Sequence, residues 1–440
     1  MPSKADDLIA ALDIGSSKIA CAIAQPLSDR TYRIVGMGVC GSVGVREGVV
    51  VEINPLVDAI RQTVEEAEKS ADVNISRVAA GISGTHIMSD NVHMTVVTRR
   101  GEIEQSDVDE IFRNVQQTSL PPSMRYLQVL AEEYAIDFKW GYHHPVGMDG
   151  NRLDAKLHVI TAQTSPCQNI GKAIRRSGLE LIESRLNFNP LSSASAVLTQ
   201  EEKNLGVILI DLGAELTEVA VYYGNAVQYT AVFPGGGESL TNEISIKTQL
   251  SKIDAENLKV SMGHVRFDPH CDKNDSYDLP SYAGFAHEHN RVLTRQALSG
   301  IIDMKLRDIL EAIYNRLRDK NLRHLISYGV VLTGGGAQLK GIERLVREVF
   351  SGYMAGGYIN VRIGYPIIEY ETNIFYSPNK FSTETLPEKL AGVSSPEYAT
   401  LFGYLADETA RYYGGGGAPR KKGGLTTVKN MLKSWFTGNF

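Results

Sequence analysis

Residues 207–221 read Val-Ile-Leu-Ile-Asp-Leu-Gly-Ala-Glu-Leu-Thr-Glu-Val-Ala-Val. Two short apolar runs flank an acid and a glycine, a pattern that predicts a β-hairpin with Asp211 at its bend. Residues 8–24 repeat it as Leu-Ile-Ala-Ala-Leu-Asp-Ile, Gly-Ser-Ser-Lys and Ile-Ala-Cys-Ala-Ile-Ala, with Asp13 at the bend. This repeat predicts two related halves that place Asp13 and Asp211 across a cleft.

Further elements extend both hairpins. After the first, the pattern predicts a strand at 32–39, a helix opened by Asn54 as cap with Pro55 in its first turn, and a strand at 78–82. After the second, it predicts a long helix at 300–321 with one apolar stripe. A strand at 328–333 then runs into Gly334-Gly335-Gly336 and an amphipathic helix at 339–350. Strand, glycine turn and helix together predict a platform for a phosphate or a nucleoside.

Two segments lie outside the repeat. Residues 84–161 predict a small inserted α+β domain, with a helix that starts at a cap formed by residues 106–109. Residues 414–424, Gly-Gly-Gly-Gly-Ala-Pro-Arg-Lys-Lys-Gly-Gly, predict a flexible basic linker, and residues 425–440 a separate short helix.

Composition narrows the class of protein. The chain has 440 residues, of which 43% are hydrophobic, so it can bury two cores. Its formal net charge of -6 argues against a nucleic-acid binder, which would carry a basic excess. Four cysteines without a CxxC pair suggest neither zinc nor disulfides. Without a signal peptide or a spanning apolar stretch, we expect a cytosolic protein that is neither exported nor transmembrane.

The two hairpin bends favour a nucleotide with magnesium. Backbone amides of a glycine turn face phosphate oxygens, and a carboxylate at the strand end holds the hydrated metal. Asp13 and Asp211 would share the Mg²⁺, while Gly15, Ser16, Ser17 and Lys18 would bind phosphate. There is no Walker sequence. Either turn alone is most often an ordinary hairpin, but the pair followed by Gly334–Gly336 is a stronger signal.

The chain resembles a known superfamily in several motifs. The two hairpins, the joint Asn189-Pro-Leu-Ser-Ser-Ala-Ser-Ala-Val, the stretch Ala255-Glu-Asn-Leu-Lys and the final Leu332-Thr-Gly-Gly-Gly resemble actin, the heat-shock ATPases and the sugar kinases. The insertion, with residues 131–137 and His144-Pro-Val-Gly, and the C-terminal helix resemble the FtsA family of bacterial cell-division proteins over essentially the whole chain. The resemblance implies an α/β actin-like ATPase fold of two duplicated RNase H-like domains, with an α+β subdomain inserted in the first and a C-terminal amphipathic helix.

Domain bounds and site residues follow from the motifs and the resemblance. The predicted bounds are 6–83 and 162–200 for the core of domain 1, 84–161 for the inserted subdomain, 201–240 and 322–412 for the core of domain 2, 241–321 for a nucleotide- and partner-binding subdomain, 413–424 for the linker and 425–440 for the helix. The predicted nucleotide set is Gly15, Ser16, Ser17, Lys18, Gly213, Thr217, Gly236, Glu256, Lys259, Gly334, Gly335 and Gly336, with ATP and Mg²⁺ as cofactors. By the resemblance, Glu256 and Lys259 contact ribose and adenine, and Gly335 and Gly336 pass beneath the base. Spacing alone also allows a solvated helix pair for Glu256 and Lys259.

Two departures from relatives bear on hydrolysis. Ala214 and Glu215 stand where relatives commonly have glycines, and Glu215 adds negative charge near a phosphate site. Asn189 stands near a position where hydrolytic relatives orient water, and an amide is no general base. The sequence therefore predicts slow ATP turnover at most and no confident catalytic residue.

The C-terminal helix and a basic segment suggest partners. Apolar residues recur at helical spacing beside lysines, as in an interfacial helix, at Leu425, Val428, Lys429, Leu432, Lys433, Trp435 and Phe436. The alternative is a helix docked on its own protein. Arg291, Arg295 and Lys305 could grip an acidic peptide, although such charges are usually a solvated face. The resemblance implies that this subdomain binds the C-terminal tail of the tubulin-like division protein FtsZ.

These observations predict an ATP-binding cell-division protein that self-assembles into filaments and anchors FtsZ to anionic lipid. The expected location is the cytoplasmic face of the bacterial inner membrane at the division site, with other membrane division proteins bound through the insertion and no nucleic acid. The alternatives are an actin-like pilus-assembly adaptor, a small-molecule kinase of the same superfamily and a chaperone-like ATPase. The kinase would need a catalytic acid in its cleft, and the chaperone a substrate-binding domain after the nucleotide domain.

Overall fold

The first half of the molecule is built on the first hairpin. The computed structural model describes residues 8–28, 31–182, 186–266, 276–279, 292–353, 357–367 and 394–414. The first elements are β1 (Ile9–Ile14), β2 (Lys18–Ser28), β3 (Thr31–Gly41), β4 (Val45–Arg46), β5 (Val49–Val50), α1 (Ile53–Ala71) and β6 (Arg77–Ile82). β1 and β2 are antiparallel, and β6 runs parallel to β1. Asp13 therefore stands at the end of a strand buried in the middle of a sheet.

Helix α1 begins one residue before the predicted cap. The helix starts at Ile53 with Glu52 as its N-cap residue, so the prediction that Asn54 caps it is wrong. The backbone N–H groups of Val51 and Glu52 donate to the Gly44 carbonyl at 2.8 and 3.1 Å, which fixes the entry of the chain into the helix. Pro55 is tolerated as the third helical residue because the first-turn amides have no intrahelical acceptor.

The inserted α+β subdomain is confirmed. Its elements are β7 (Ile87–Val97), α2 (Gln105–Gln117), β8 (Met124–Ile136), β9 (Lys139–Tyr142) and β10 (Arg152–Gln163). The sheet order is β7-β10-β8-β9, all antiparallel, and α2 packs on one face over a separate core. The predicted cap is shifted: α2 begins at Gln105, and the Glu104 N–H donates to the Asp107 carboxylate at 2.8 Å. Asp107 can bond back in this way because it is the third residue of the helix.

A buried histidine joins the insertion to the second half. His158 of β10 lies 2.6 Å from Asn91 Oδ1 through Nδ1 and 2.9 Å from Thr230 Oγ1 through Nε2. An amide oxygen only accepts, so Nδ1 donates to Asn91 and Nε2 accepts from the Thr230 hydroxyl. Burial lowers the pKa of His158 to about 4, which keeps the ring neutral. The neighbouring Asn91 amide donates to the Gln228 carbonyl at 3.0 Å.

After the insertion the chain completes the first half. The elements are α3 (Thr164–Arg176), β11 (Glu180–Leu181), β12 (Asn187–Phe188), α4 (Asn189–Val197) and α5 (Gln200–Leu205). The sheet order is β11-β6-β1-β2-β3, and β12 also pairs with β6. Pro190 is the second residue of α4, where its missing N–H leaves no intrahelical bond unmade. The core of this half packs α1, α3 and α4 on the sheet.

The second half repeats the topology of the first. Its elements are β13 (Val207–Leu212), β14 (Leu216–Tyr223), β15 (Ala226–Pro234), α6 (Gly237–Thr248), α7 (Lys252–Met262), β16 (Ser276–Asp278), β17 (Val292–Thr294), α8 (Arg295–Asp319), β18 (Gly329–Thr333), α9 (Ile342–Phe350) and β19 (Val361–Ile363). The order β15-β14-β13-β18-β19 matches β3-β2-β1-β6-β11, with the same strand directions at each step. The prediction of a duplicated actin-like fold is confirmed.

Two helices of the second half start away from their predicted first residues. α8 begins at Arg295 instead of residue 300, because the Thr294 hydroxyl accepts the Ala297 N–H at 3.2 Å and caps it there. α9 begins at Ile342 instead of residue 339, because a 3₁₀ turn at Gly335–Gln338 follows the glycines.

The last described helix, α10 (Ala399–Gly414), packs on the first half. Phe402 and Tyr404 are fully buried in the core of that half, and the α10 glycine Gly403 lies against the Ser192 backbone of α4. The assignment of residues 399–412 to the core of domain 2 is therefore wrong. The linker predicted from residue 413 also starts too early, because the helix continues to Gly414 and the Tyr413 hydroxyl donates to the Pro26 carbonyl. Among the residues with described structure, no helix has the length and apolarity to span a bilayer.

Candidate nucleotide-binding site

One large cavity lies between the two halves. Its volume is about 910 Å³, and both hairpin bends and the glycine platform line it. The predicted residues that line it are Asp13, Gly15, Ser16, Ser17, Lys18, Asp211, Gly213, Glu256, Lys259, Gly334, Gly335 and Gly336. Thus residues separated by more than 320 positions in the chain meet at one site.

Two of the predicted residues do not reach the cavity surface. Thr217 is fully buried, and its hydroxyl donates to the Gly235 carbonyl at 2.8 Å. Gly236 lies behind the second turn, where an added Cβ would come within 2.4 Å of the Gly213 carbonyl oxygen. Both residues support the second turn from behind, so their prediction as direct nucleotide contacts is corrected.

The two hairpin bends have the same internal hydrogen bond. The Gly15 N–H donates to the Lys18 carbonyl at 3.0 Å, and the Gly213 N–H donates to the Leu216 carbonyl at 2.9 Å. Because the glycine amide is used within each turn, it does not face a phosphate. The following residues, Ser16 in particular, form the cavity edge of the first bend.

Asp13 and Asp211 are buried carboxyl groups that face this cavity. Burial raises the pKa of Asp13 to about 6, and the nearby Lys18 ammonium offsets part of that effect. Burial also raises the pKa of Asp211, although Asp211 accepts hydrogen bonds from Ser193 at 2.6 Å and Thr400 at 3.4 Å. A divalent cation would replace the lost hydration of both carboxylates.

Glu218 is a third acid that the sequence reasoning missed. It lies directly opposite Asp211 in the β13–β14 register and lines the cavity. Burial and the charges of Asp211 and Asp13 raise the pKa of Glu218 well above its ordinary value. The signal was present, because a hairpin whose turn includes Gly213 places residue 218 across from 211. In the first hairpin the matching residue is Ala20.

The glycine platform touches the second acid. Gly334 has a φ of +83°, and an added Cβ would stand 2.3 Å from Asp211 Oδ1. Only glycine allows this backbone to approach the carboxylate so closely. The Gly334 N–H donates to the Pro396 carbonyl at 3.1 Å, which fixes the platform against the segment before α10.

Glu256 and Lys259 form an ion pair on the wall of the cavity. Their charged atoms are 2.8 Å apart on α7, and the Lys259 side chain is only 11% exposed. The Lys259 ammonium also donates to the Gly237 carbonyl and the Thr241 hydroxyl, each at 3.0 Å. The alternative of a solvated surface pair does not describe Lys259, although Glu256 is 47% exposed.

Lys18 has a carboxylate partner that lies far away in sequence. Its Nζ stands 2.6 Å from Glu397 Oε2 and 3.9 Å from the centroid of the Tyr398 ring. Burial lowers the pKa of Lys18, while the hydrogen bond from Glu397 acts in the opposite direction. No local sequence pattern could indicate a contact across 379 residues.

Glu215 spans the cleft at the second phosphate turn. Its carboxylate accepts a hydrogen bond from the Glu47 backbone N–H in the segment between β4 and β5. Glu47 has a φ of +48°, a left-handed conformation next to Gly48. The extra negative charge noted in the sequence is therefore directed at an amide of the opposite half.

The residues predicted to bind a partner peptide are only partly described. Arg295 is the first residue of α8, and Lys305 lies ten residues further along the same helix, about 15 Å by helical rise. Arg307 forms an ion pair with Glu348 at 2.9 Å. Arg291 and the predicted membrane residues Leu425, Val428, Lys429, Leu432, Lys433, Trp435 and Phe436 lie outside the described residues.

The residues present fit a magnesium nucleotide. The cavity volume lies in the range of cofactor sites, about 300–1,000 Å³. Gly334 and Gly335 leave the base end open, because a Cβ at Gly335 would find its nearest atom, in Glu397, 3.9 Å away. Asp13 and Asp211 are the oxygen ligands that Mg²⁺ prefers, which usually takes one or two carboxylates and retains water.

Comparisons with known proteins agree with this architecture. A family model described as cell division protein FtsA matches residues 208–403, and one described as the SHS2 domain inserted in FtsA matches residues 84–161. The chain is 31% identical over 439 residues to the cell division protein FtsA of Pseudomonas aeruginosa, with 98% of each chain covered. It is 33% identical over 367 residues to that of Escherichia coli K12, covering 82% of this chain and 84% of the relative. The solved PilM-PilN type IV pilus biogenesis complex shares the fold, with a TM-score of 0.60 at 17% identity over 91% of this chain and 98% of that chain.

Proposed function

Because the chain belongs to the FtsA family of cell-division proteins, we propose that it binds ATP and links the tubulin-like division protein FtsZ to the cytoplasmic membrane. One observation carries the nucleotide part of this proposal. Two equivalent acid-bearing bends, Asp13 with Lys18 and Asp211 with Gly213, line one cavity together with the glycine platform. Bound there, ATP bridges the two halves and favours self-assembly into filaments.

Each part of the nucleotide has a suitable partner. Asp13 and Asp211 hold the magnesium ion, and Ser16, Ser17 and Lys18 bind the phosphates. Glu256 and Lys259 bind the ribose and the adenine, which rests on Gly335 and Gly336. The Lys259 ammonium is already positioned by the Gly237 carbonyl and Thr241. Binding costs little reorganisation where side chains are held in advance.

Hydrolysis is slow at most in this proposal. The Asn189 side-chain oxygen accepts the Tyr404 hydroxyl proton at 2.6 Å, which reduces its capacity to orient an attacking water. Glu218 is the buried acid of suitable type, and its raised pKa favours the protonated form, which cannot accept a proton from water. The position of the assembled protein, and no released metabolite, is its product.

The tethering part rests on the sequence and the family. Residues 425–440 form the proposed interfacial helix, with lysines at 429 and 433 that attract anionic lipid at about 1 kcal/mol each. Arg291, Arg295 and Lys305 form the proposed contact for the FtsZ tail. The inserted subdomain is the proposed contact for other membrane division proteins, and the protein works as a peripheral protein at the division site.

Co-sedimentation with liposomes tests the link in one experiment. FtsZ is mixed with anionic liposomes and either the full chain or a chain ending at Gly424, each with and without Mg-ATP. We expect FtsZ to pellet only with the full chain, because only that chain carries the proposed membrane helix. Zwitterionic liposomes serve as the control and should pellet much less of either protein.

The arms separate the parts of the proposal. If both chains carry FtsZ into the pellet equally, residues 425–440 are not the anchor. If the full chain pellets without FtsZ, membrane binding stands and the FtsZ contact is wrong. ATP binding is measured separately by calorimetry, and an Asp211→Asn chain that binds Mg-ATP as well as the unchanged protein would contradict the metal assignment.

A further inference from the structure

Glu397 lies where a phosphate group of the nucleotide has to bind. It is the second residue of a short turn at Pro396–Tyr398, directly before α10, and it lines the cavity. Its carboxylate is 2.6 Å from the Lys18 ammonium, and its side chain is 34% exposed. Lys18 is the cation that the proposed function assigns to phosphate, so an anion of the protein already binds it.

The backbone around Glu397 is held by both halves. The Pro396 carbonyl accepts from the Gly334 N–H at 3.1 Å and from the Thr333 hydroxyl at 3.2 Å, both in the second half. The helix that follows packs on the first half. Glu397 is thus positioned by two hydrogen bonds to the platform and does not depend on a chance side-chain rotamer.

The Lys18 ammonium has little room for a further anion. The Tyr398 ring covers one side at 3.9 Å, Glu397 occupies a second, and Asp13 and Asp211 exert their charge from the cavity floor. The Lys18 side chain is only 18% exposed, so water cannot screen these charges fully. A phosphate that approaches Lys18 must displace Glu397 or share the ammonium against charge repulsion.

We propose that Glu397 is a specificity-determining residue of the nucleotide site, whose carboxylate competes with the terminal phosphate for Lys18 and so weakens the preference for ATP over ADP. The inference rests on the proposed nucleotide binding and adds its regulation. The competition depends on charge, and the number of phosphates sets its size. Adenosine, which carries none, is unaffected.

The test is calorimetric titration of ATP, ADP and adenosine in the presence of Mg²⁺. In the full chain with Glu397→Gln, we expect ATP affinity to rise by about 5- to 10-fold, ADP affinity by about 2-fold and adenosine affinity not at all, since the lost repulsion is that of one partly screened charge. Glu397→Ala should give the same order of effects. It serves as a second variant if the glutamine retains a hydrogen bond to Lys18.

A matched control and a double variant isolate the mechanism. Glu238→Gln removes a carboxylate from the same cavity, where Glu238 pairs with Lys252 at 3.4 Å, and should leave the ratio of ATP to ADP affinity unchanged. Lys18→Met should lower ATP affinity. In that background, Glu397→Gln should change it by less than about 2-fold, because the residue acts through Lys18.

Each other outcome counts against a definite claim. An equal gain for all three ligands would mean that Glu397→Gln loosens the cleft, and would overturn the inference. The same gain in the Lys18→Met background, or a fall in ATP affinity, would also overturn it. If the unchanged protein bound neither ATP nor adenosine, the proposed nucleotide function would fall and the inference with it. Binding of ATP that Glu397→Gln leaves unaltered would remove the inference alone.

Discussion

Asp13 costs the folded chain stability in return for a place to bind a cation. Its pKa is about 6 in the folded protein, against 3.8 for an exposed aspartate. Between these values the folded state binds more protons than the unfolded state, so the free energy of unfolding falls as pH rises from about 4 through 6. Above pH 6 the penalty is complete, and a bound divalent cation would offset it.

Asp13→Asn should therefore stabilise the metal-free protein. In buffer with a chelator we expect the free energy of unfolding at pH 7.5 to rise by about 1–3 kcal/mol, and by roughly half as much at pH 5. Urea unfolding at the two pH values measures the difference. Asp58→Asn, on the exposed face of α1, is the control and should change stability by less than about 0.5 kcal/mol. An equal gain at both pH values would show that charge burial is not the cause.

At this scale the sequence predicted the residues that a local pattern marks. Asp13, Lys18 and Asp211 follow from the hairpin grammar, and all three line the cavity. Glu397 was missed because only the closing of the chain across 379 residues brings it to Lys18. Glu218 was missed for a different reason, since its position opposite Asp211 needed the strand register as well as the pattern.

Among the helices, the crossing of α4 and α10 depends on one glycine. A Cβ at Gly403 would lie 1.8 Å from the Ser192 carbonyl oxygen, a backbone atom that cannot move without moving α4. α4 also carries Ser193, which donates to Asp211, so this contact supports the metal site from behind. Backbones approach so closely only where no side chain stands between them.

Gly403→Ala should force the two helices apart. We expect a loss of about 1–3 kcal/mol in the free energy of unfolding, as for overpacked cores, together with weaker Mg-nucleotide binding. Gly300→Ala is the control, because Gly300 lies exposed in α8 with open space around it. There the alanine should be neutral or stabilise the helix by up to about 1 kcal/mol. Similar losses in both chains, measured by urea unfolding, would contradict the role of the contact.

The helix boundaries show what periodicity leaves open. The apolar stripe of α8 was predicted correctly, but its start at Arg295 depends on the Thr294 cap, which precedes the stripe. α9 starts late because the glycines continue into a 3₁₀ turn. Stripes report which face is buried, whereas ends depend on single hydrogen bonds.

For the molecule as a whole, His158 ties the insertion to the second half only while it is uncharged. Its pKa is about 4 in the joint, against 6.5 when exposed, so the exposed state binds more protons between these values. The joint therefore weakens as pH falls from about 6.5 towards 4. Asp90 is the nearby charge that favours protonation.

Acidification from pH 7 to pH 5 should loosen this joint by about 2 kcal/mol. We expect faster hydrogen exchange in β15 and β7 at pH 5, after correction for intrinsic rates, with little change in the core of α1. His158→Gln keeps a donor and an acceptor but does not titrate, so its exchange should be nearly independent of pH. If the variant shows the same acid response as the unchanged chain, another group controls the joint.

The sequence predicted the repeat, the insertion and the cleft, because each follows from patterns within about 30 residues. It misplaced the last helix, since the pattern of α10 shows an amphipathic helix but not the half on which it packs. Burial of Phe402 and Tyr404 in the first core settles that question. The order of elements along a chain does not give their partners in space.

The position of α10 has a mechanical consequence. The first described strand, β1, and the last described helix, α10, belong to the same half and contact each other. Tension on the chain beyond Gly414 therefore enters through α10 and passes into β1 and β2 without crossing the cleft. The second half can swing on its hinge while the first half carries the pull. A tethered molecule could thus open and close around its ligand without doing work against the tether.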